Sequence, residues 1–219
     1  IKSVFAQTYL NWELILLDDG SQDGSLDIAK NINDPRVKVI SDGVNRGLVY
    51  RLNESPGLVE GDYIARMDAD DIMHPKRIEK QMLLLLSDPS IDLVDTACYS
   101  IDHTESPVGI RGLNQINYDP KRVLLSAMLL HASIIGKKKW FIENPYDPNF
   151  LRAEDWELWN RTFKFSNFKR VIEPLYFVRE GKVNVNNYIV GLKTVEEILL
   201  IYGSSILSRS EMLIQLSKN

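Results

Sequence analysis

The first half of the chain alternates short apolar runs with segments in which apolar residues recur at helical spacing. The runs that predict buried strands span 12–17, 37–40, 62–68 and 91–94. Helical spacing follows each of the first three runs, in segments that begin near Ser25, Asn45 and Pro75. Because strands and helices alternate, the sequence predicts an α/β fold with a mostly parallel sheet and helices on both faces.

The second half has a less regular pattern. Proline, glycine and polar residues predict long loops over 100–122, and an apolar run predicts a strand over 128–135. An amphipathic helix is predicted over 153–165, followed by a last strand over 171–178. Apolar residues from Asn187 onward predict one or two C-terminal helices, for which packing on the domain is favoured over contact with a membrane or another subunit.

The predicted strand over 62–68 ends in an acidic sequence, with Asp68, Asp70 and Asp71 within four residues. Carboxylates this close repel one another and raise one another's pKa unless a cation joins them. Their oxygen atoms suit Mg²⁺ or Mn²⁺. The alternative is a solvated acidic turn that caps the next helix, with Pro75 at the first helical position.

A second acidic turn, Asp18-Asp19-Gly20-Ser21, follows the strand predicted over 12–17. Ligands of parallel α/β sheets bind beyond the carboxyl ends of the strands. We therefore expect the two acidic turns to share one cleft, although about 50 residues separate them in the sequence.

Composition narrows the classes of protein. The 219 residues have a formal charge of −4, from 26 basic and 30 acidic residues, which gives no general case for a nucleic-acid partner. Cys98 is the single cysteine, so an intrachain disulfide is excluded, a cysteine zinc site is disfavoured and a reducing compartment fits. No apolar run approaches the ~20 residues of a membrane span, and no signal peptide is seen. The sequence begins at Ile1 within an element, so we expect further residues upstream.

Seven short motifs occur in an order and spacing that resemble family 2 glycosyltransferases of bacterial polysaccharide biosynthesis. Each motif alone is weakly specific, but together they cover roughly residues 1–180. The motifs are Gln7-Thr8-Tyr9, Trp12-Glu13-Leu14, Asp18-Asp19-Gly20-Ser21, Asn45-Arg46-Gly47, Gly61-Asp62-Tyr63-Ile64, Asp68-Ala69-Asp70-Asp71 and Glu154-Asp155-Trp156-Glu157-Leu158-Trp159.

The resemblance implies a GT-A-type, Rossmann-like fold with a C-terminal helical extension. It implies that residues 1–99 form a nucleotide-sugar-binding half and residues 100–185 the acceptor-binding half of the same domain. Residues 186–219 are then the helical extension. The first strand of the family pattern, with its uracil-packing turn, is expected upstream of Ile1.

The resemblance also implies roles for the acidic turns. Asp19, with Asp18, is expected to bind the uracil or ribose of a UDP-sugar, and Arg46 is a further candidate for a phosphate contact. Asp70 is the first choice as ligand of Mn²⁺ or Mg²⁺ and Asp68 the second, directly or through ribose or water. The alternative for Asp18 or Asp19 is a helix cap on the following helix, and for Asp71 a cap is as plausible as metal contact.

Asp155 is implied to be the general base that takes a proton from the acceptor hydroxyl. Its place at a helix N-terminus predicts that it stays ionised. Glu154 is the adjacent candidate, and helix capping is the alternative for both residues. His131 lies where family members often have a histidine, with a structural role as its alternative.

Two positions depart from the family pattern. Leu52 stands where many members have an arginine near the phosphates, and the neighbouring Arg51 is not assumed to replace it. Near the last strand, the sequence 178–181 lacks the family's histidine, and Lys182 is a partial substitute.

The implied activity is metal-dependent, inverting transfer of a sugar from a nucleotide-sugar donor, with UDP favoured, to a glycan or lipid-linked acceptor. The implied location is the cytoplasm, with peripheral association at the inner face of the membrane. Two alternatives stay open: a catalytically silent relative that binds nucleotide or glycan, and a Mg²⁺-binding receiver-like signalling domain. The acidic triad, the chain length and the 154–159 motif disfavour the receiver.

Overall fold

The computed structural model describes residues 1–181 and 184–217. Within these ranges helices and strands alternate through the first half, as the apolar pattern predicts. The helices are α1 (Lys2–Phe5), α2 (Ser25–Lys30), α3 (Leu48–Leu58), α4 (Arg77–Ser87), α5 (Pro120–Leu125), α6 (Lys138–Glu143), α7 (Glu154–Thr162), α8 (Val185–Tyr202) and α9 (Arg209–Leu216). The strands are β1 (Leu14–Asp18), β2 (Val37–Ser41), β3 (Tyr63–Ala65), β4 (Ile72–Met73), β5 (Leu93–Ile101), β6 (Pro107–Arg111), β7 (Ile135–Lys137) and β8 (Phe168–Arg179).

The strands form two sheets within the described residues. β1 and β2 pair in parallel as a two-stranded sheet. The second sheet has the order β3-β7-β5-β8-β4, with β6 also paired to β5. The expected α/β class is confirmed, but the mostly parallel sheet is not, because β5–β8 is the one parallel pair of this larger sheet in the described chain. Short strands that the periodicity did not resolve, β4 in the first half and β6 and β7 in the second, take part in the antiparallel pairs.

The strand predicted over 128–135 is wrong for most of its length. Residues His131–Ser133 form a 3₁₀ turn, and the strand begins only at Ile135. Side chains satisfy the backbone of this segment: Leu130 N donates to Asp95 Oδ2 at 2.8 Å, and Arg170 Nη2 donates to Met128 O at 2.9 Å. The segment is apolar because it is buried. Side chains, and not a neighbouring strand, satisfy these backbone groups.

The segment 100–122, predicted as loops, also contains β6 and the start of α5. The helix predicted over 153–165 is confirmed with a shorter extent, as is the last strand with a longer one. Both predicted C-terminal helices are present, and Ile198 and Leu199 of α8 are buried against the domain. None of the helices in the described residues is both long and apolar enough to cross a bilayer.

The core that positions α7 is aromatic. The Trp159 ring lies 6.3 Å from Trp140 and 5.7 Å from Phe168, measured between ring centroids. Trp159 is completely buried, and Leu158 beside it is too. These residues lie on the inner face of α7 and fix the helix to the core.

A buried ion pair fixes the segment between α5 and β7. Asp95 on β5 has no solvent exposure, and its carboxylate accepts from Arg170 Nε of β8 at 2.9 and 3.1 Å. Arg170 also donates to Asn114 O and Met128 O. The pair therefore ties two adjacent parallel strands to the loop that leads to His131.

We expect Asp95→Asn to lower the free energy of unfolding by about 3–5 kcal/mol, because it leaves the Arg170 charge buried without its counter-ion. Urea denaturation of the purified chain measures this. The control is Glu143→Gln, which removes the exposed ion pair with Lys139 and should change stability by less than about 1 kcal/mol. Equal losses of unfolding free energy in the two variants would contradict the stabilising role of the Asp95–Arg170 ion pair.

Candidate active site

The turn after β1 is held by its own carboxylate. Asp18 accepts from Gly20 N at 3.2 Å, Ser21 N at 3.1 Å and Ser41 Oγ at 2.7 Å. Hydrogen bonds from Ser21 and Ser41 lower the pKa of Asp18 to about 2. Asp18 is therefore ionised and shapes the turn.

Asp19 binds the loop that leads into α3. Its carboxylate accepts from Arg46 N at 2.7 Å, Gly47 N at 3.0 Å and Arg51 Nε at 2.9 Å. Burial alone would raise the pKa of Asp19, but these donors hold it below its ordinary value. Arg51 is nearly buried and also bonds Asp42 at 2.6 Å. Arg51, to which the sequence analysis gave no role, is thus the cation that joins Asp19 and Asp42.

Arg46 remains half-exposed beside this network. Its Nε donates to Asp42 Oδ2 at 2.6 Å, and its guanidinium lies 5.0 Å from the Tyr50 ring centroid. Neither Asp18 nor Asp19 caps α2, which begins after Gly24 without a side-chain cap. The capping alternative is therefore wrong for both residues.

The three carboxylates after β3 have different partners. Asp68 is paired with Arg66, with Nη2 and Oδ1 2.7 Å apart. Asp71 is buried and accepts from Arg179 N at 2.9 Å, and burial raises its pKa. Asp70 is exposed, and no described side chain bonds its carboxylate. Asp71 caps no helix, because α4 begins after Lys76 without a side-chain cap.

Buried groups hold this acidic loop in place from below. The Tyr176 hydroxyl accepts from Asp68 N at 3.1 Å. The fully buried Arg77 lies under Tyr176, 4.8 Å from its ring centroid, and donates to Arg66 O at 2.8 Å. Burial lowers the pKa of Arg77 to about 10.

The last strand supplies a cation to the same loop. Arg179 Nε donates to Asp70 O at 3.1 Å. Arg179 therefore lies at the acidic loop, close in sequence to where the family pattern has a histidine, and sequence reasoning did not select it. The substitute considered from the sequence, Lys182, lies outside the described residues.

The first turn of α7 presents Glu154 and Asp155 to His131, whose side chain is 11% exposed. His131 Nδ1 lies 4.0 Å from Glu154 Oε1 and 4.0 Å from Asp155 Oδ2. Burial raises the pKa of both acids, so desolvation outweighs the helix N-terminus that the sequence analysis relied on. Neither acid caps the helix, since the N-cap position is Ala153 without a side-chain bond.

Arg66 connects the two acidic groups. It pairs directly with Asp68, and its positive charge lowers the pKa of both Glu154 and Asp155 against the effect of burial. Its side chain is only 11% exposed. By contrast, no hydrogen bond or ion pair of the described chain joins Asp18 or Asp19 to the Asp68 loop. The expectation of one shared cleft therefore stays a prediction.

The family model for Glycosyl transferase family 2 matches residues 1–171. The chain belongs to glycosyl transferase family 2. This family 2 chain is 34% identical over 193 residues to the putative glycosyltransferase EpsE of Bacillus subtilis, covering 82% of the chain and 66% of EpsE. It is 27% identical over 193 residues to the UDP-Glc:alpha-D-GlcNAc-diphosphoundecaprenol beta-1,3-glucosyltransferase WfgD of Escherichia coli, covering 86% of the chain and 74% of WfgD.

Solved structures identify the fold. S. aureus TarS 1–349 in complex with UDP matches with a TM-score of 0.69 at 14% identity, covering 99% of the chain and 64% of TarS. The mannosyltransferase PcManGT of Pyrobaculum calidifontis matches with a TM-score of 0.63 at 15% identity, covering 91% of the chain and 57% of PcManGT. The GT-A fold predicted for this family 2 chain is confirmed, and a receiver-like domain is excluded.

The family 2 chain spans only part of several relatives. It covers 66% of EpsE, 30% of the bifunctional glycosyltransferase pgtA of Dictyostelium discoideum and 58% of an uncharacterized glycosyltransferase of Haemophilus influenzae. The match thus defines a family 2 domain.

We expect Arg66→Gln to raise the pKa of Asp155, because the nearby cation that favours the ionised carboxylate is removed. Titration of the ¹³C-labelled aspartate carboxyls by NMR measures this in the unliganded protein. Lys139→Gln, an exposed substitution on α6, is the control and should leave the Asp155 titration unchanged. An unaltered Asp155 titration in Arg66→Gln would refute the electrostatic role of Arg66.

Proposed function

We propose that this family 2 domain is a metal-dependent, inverting glycosyltransferase that moves a sugar from a UDP-linked donor to a saccharide or lipid-linked saccharide acceptor. The observation that carries the proposal is the arrangement around Arg66. Asp68, which is paired with this cation, is two residues from the exposed carboxylate of Asp70. The buried Glu154 and the partly buried Asp155 lie within the electrostatic reach of the same cation. The Asp68 and Asp70 side of Arg66 suits a diphosphate with its cation, and the α7 side suits a general base.

The donor side is assigned to the acidic turns and α3. Asp19 and Asp18 are proposed to face the uracil or ribose. Asp19 Oδ2 and Asp18 Oδ1 each accept one hydrogen bond within the described chain, and the second lone pair of each oxygen can accept a ligand N–H or O–H. Arg46, whose side chain is 41% exposed, is proposed to bind a phosphate oxygen. Arg51 holds Asp19 in position, so its proposed role is to support the nucleotide-binding residues and not to contact the donor.

The residues after β3 fit a hard divalent cation. Asp70 offers an exposed carboxylate that no described side chain occupies, and Mg²⁺ or Mn²⁺ prefers such oxygen ligands together with substrate phosphates. Asp68 is the second ligand, directly or through water, and would share its charge with Arg66. A cation held there supplies Lewis-acid stabilisation to the departing nucleotide diphosphate.

On the acceptor side, Asp155 is the proposed general base. Its raised pKa suits proton abstraction, because a base works best when its pKa approaches the working pH. The acceptor oxygen attacks the anomeric carbon on the face opposite the diphosphate. As that bond forms, Asp155 takes the hydroxyl proton, the bond to the phosphate oxygen breaks, and its electron pair leaves with the diphosphate.

The relatives support a nucleotide-sugar donor. TarS structures contain UDP or UDP-GlcNAc, PcManGT contains GDP-Man and Mn²⁺, and the name of WfgD specifies UDP-Glc with a diphosphoundecaprenol-linked acceptor. These ligands belong to those proteins. For this chain, the nucleotide base and the sugar of the donor, the lipid-linked acceptor and membrane association are proposals.

Asp70→Asn should abolish Mn²⁺-dependent donor binding, because it removes the free anionic ligand. A panel of UDP-, GDP- and dTDP-sugars, screened by thermal shift with Mn²⁺ and then by calorimetry, identifies the donor and measures the loss. Asp62→Asn, an exposed carboxylate at the opposite end of β3, should bind normally. Donor binding that is the same with Mn²⁺ and with EDTA would rule out the metal assignment.

Asp155→Asn should reduce transfer by about 10²–10⁴-fold, since a general base typically contributes that much. Donor affinity should stay near normal. Single-turnover transfer with a radiolabelled donor separates the two effects, and Glu154→Gln is the matched comparison. If Asp155→Asn turns over normally while Glu154→Gln does not, Glu154 is the base. If the native domain binds donor but transfers to no acceptor, it is the catalytically silent relative.

A further inference from the structure

A chain of hydrogen bonds runs from α3 to His131, which lies beside the acidic first turn of α7. The Asn53 amide donates to Tyr146 O at 2.8 Å, and Tyr146 N donates to Asn53 Oδ1 at 2.8 Å. The Tyr146 hydroxyl lies 2.7 Å from His131 Nε2. The other ring nitrogen, His131 Nδ1, lies 4.0 Å from oxygens of both Glu154 and Asp155. The imidazole therefore stands between an anchored tyrosine and the proposed base.

The tautomer of His131 follows from what its neighbours need. Burial lowers the pKa of His131, and the Arg66 cation lowers it further, so the ring is neutral and has one N–H. Tyr146 is 4% exposed, and its hydroxyl has His131 Nε2 as its one hydrogen-bond partner in the described chain. A buried hydroxyl hydrogen without an acceptor is unfavourable. Tyr146 therefore donates to Nε2, and the ring proton is on Nδ1, facing the carboxylates.

The Trp159 indole N–H is, after His131 Nδ1–H, a second donor without a hydrogen bond beside the Asp155 carboxylate. The Trp159 side chain is fully buried, and its indole N–H has no partner at hydrogen-bond distance among the described residues. It nevertheless favours the charged form of Asp155 and lowers its pKa. The Trp159 and His131 rings meet edge to face, with centroids 6.0 Å apart. Two N–H groups thus face Asp155 without a formed bond.

We propose that His131 is a positioning residue for the general base: its Nδ1–H, fixed by Tyr146 and Asn53, orients the Asp155 carboxylate and stabilises its charge. This inference rests on the base role of Asp155 in the proposed function. Catalytic hydrogen bonds are often long in unliganded enzymes and shorten when substrate binds. A carboxylate at 4.0 Å is within a small side-chain rotation of Nδ1–H.

A metal ion is the competing occupant of the same three side chains. His131, Glu154 and Asp155 each place one ligand atom within 4.8 Å of the others. Metal binding would need the lone pair of Nδ1 and would leave the proton on Nε2. That tautomer would orphan the Tyr146 hydroxyl hydrogen, so the structure favours a hydrogen bond to the carboxylates.

The charges around Asp155 show in which direction the pKa of Asp155 shifts when the His131 Nδ1–H donor is lost. Arg66 from the end of β3 favours the ionised form of both acids, and Arg152 before α7 favours that of Glu154. The charge of Asp155 itself raises the pKa of its neighbour Glu154. A donor at Nδ1 adds to the effect of the cations, so its loss raises the pKa of Asp155.

The first test needs no activity. NMR of ¹⁵N- and ¹³C-labelled protein should report the Nδ1–H tautomer for His131, unchanged by EDTA or added Zn²⁺. In Tyr146→Phe the fixed tautomer should be lost, and the Asp155 carboxyl should titrate at higher pH. Tyr202→Phe is the matched control, because Tyr202 donates its hydroxyl to Glu157 at 2.8 Å elsewhere on α7. That variant should leave both readouts unchanged.

The second test uses the pH profile of transfer. Tyr146→Phe should lower kcat/KM roughly threefold to tenfold on the acid side of the profile, with recovery at higher pH and an unchanged donor KM. His131→Asn, whose amide N–H replaces Nδ1–H, should keep much of the native profile, whereas His131→Gln should lose it. These two variants separate the donor function from a packing role if Tyr146→Phe folds poorly.

Four results would overturn the proposal: an Nε2–H tautomer in the native protein, a tautomer that Zn²⁺ converts, an Asp155 titration indifferent to Tyr146→Phe, or equal profiles for His131→Asn and His131→Gln. If the NMR results hold but no donor is transferred, the hydrogen-bond chain stands and the proposed function fails. If transfer occurs and Asp155 is not the base, the positioning role fails while the transferase activity stands.

Discussion

Guanidinium groups placed between carboxylates hold the acidic loops of this domain together. Arg51 joins Asp19, Asp42 and Glu54, and Arg66 pairs with Asp68 near the α7 acids. Each of these carboxylates would repel its neighbours without the cation. An arginine fork suits this task, because it is always charged and presents several donors in one plane. The acidic groups are therefore held apart and pre-oriented before any ligand arrives.

The position of Arg66 depends on main-chain bonds. Arg66 N donates to Ile134 O at 2.9 Å, and the buried Arg77 donates to Arg66 O. The strand end thus has fixed neighbours on both sides. A guanidinium anchored in this way can pair with Asp68 and also act on the α7 carboxylates.

Particular residues show how far the sequence could be used. The α/β class, the acidic strand ends and the Glu154-Asp155 helix start followed from short-range patterns and motif order. The strand over 128–135 failed, because apolar periodicity cannot distinguish a strand from a buried turn whose backbone bonds are made by Asp95 and Arg170. Arg66, Arg179 and Tyr146 were missed for a related reason. Each looks like an ordinary strand or loop residue until its partners from distant segments are known.

The sequence by itself determined which groups are present and which lie at the ends of strands and helices, because those features depend on residue spacing. It determined the family and hence the GT-A fold through the order of its motifs. Only the tertiary structure decided which carboxylates are paired, buried or free. Asp68, Asp70 and Asp71 are near-neighbours in sequence, yet one is paired with an arginine, one is exposed and one is buried under the last strand. Such differences arise from contacts between distant segments, and these set the desolvation and charge pairing of each acid.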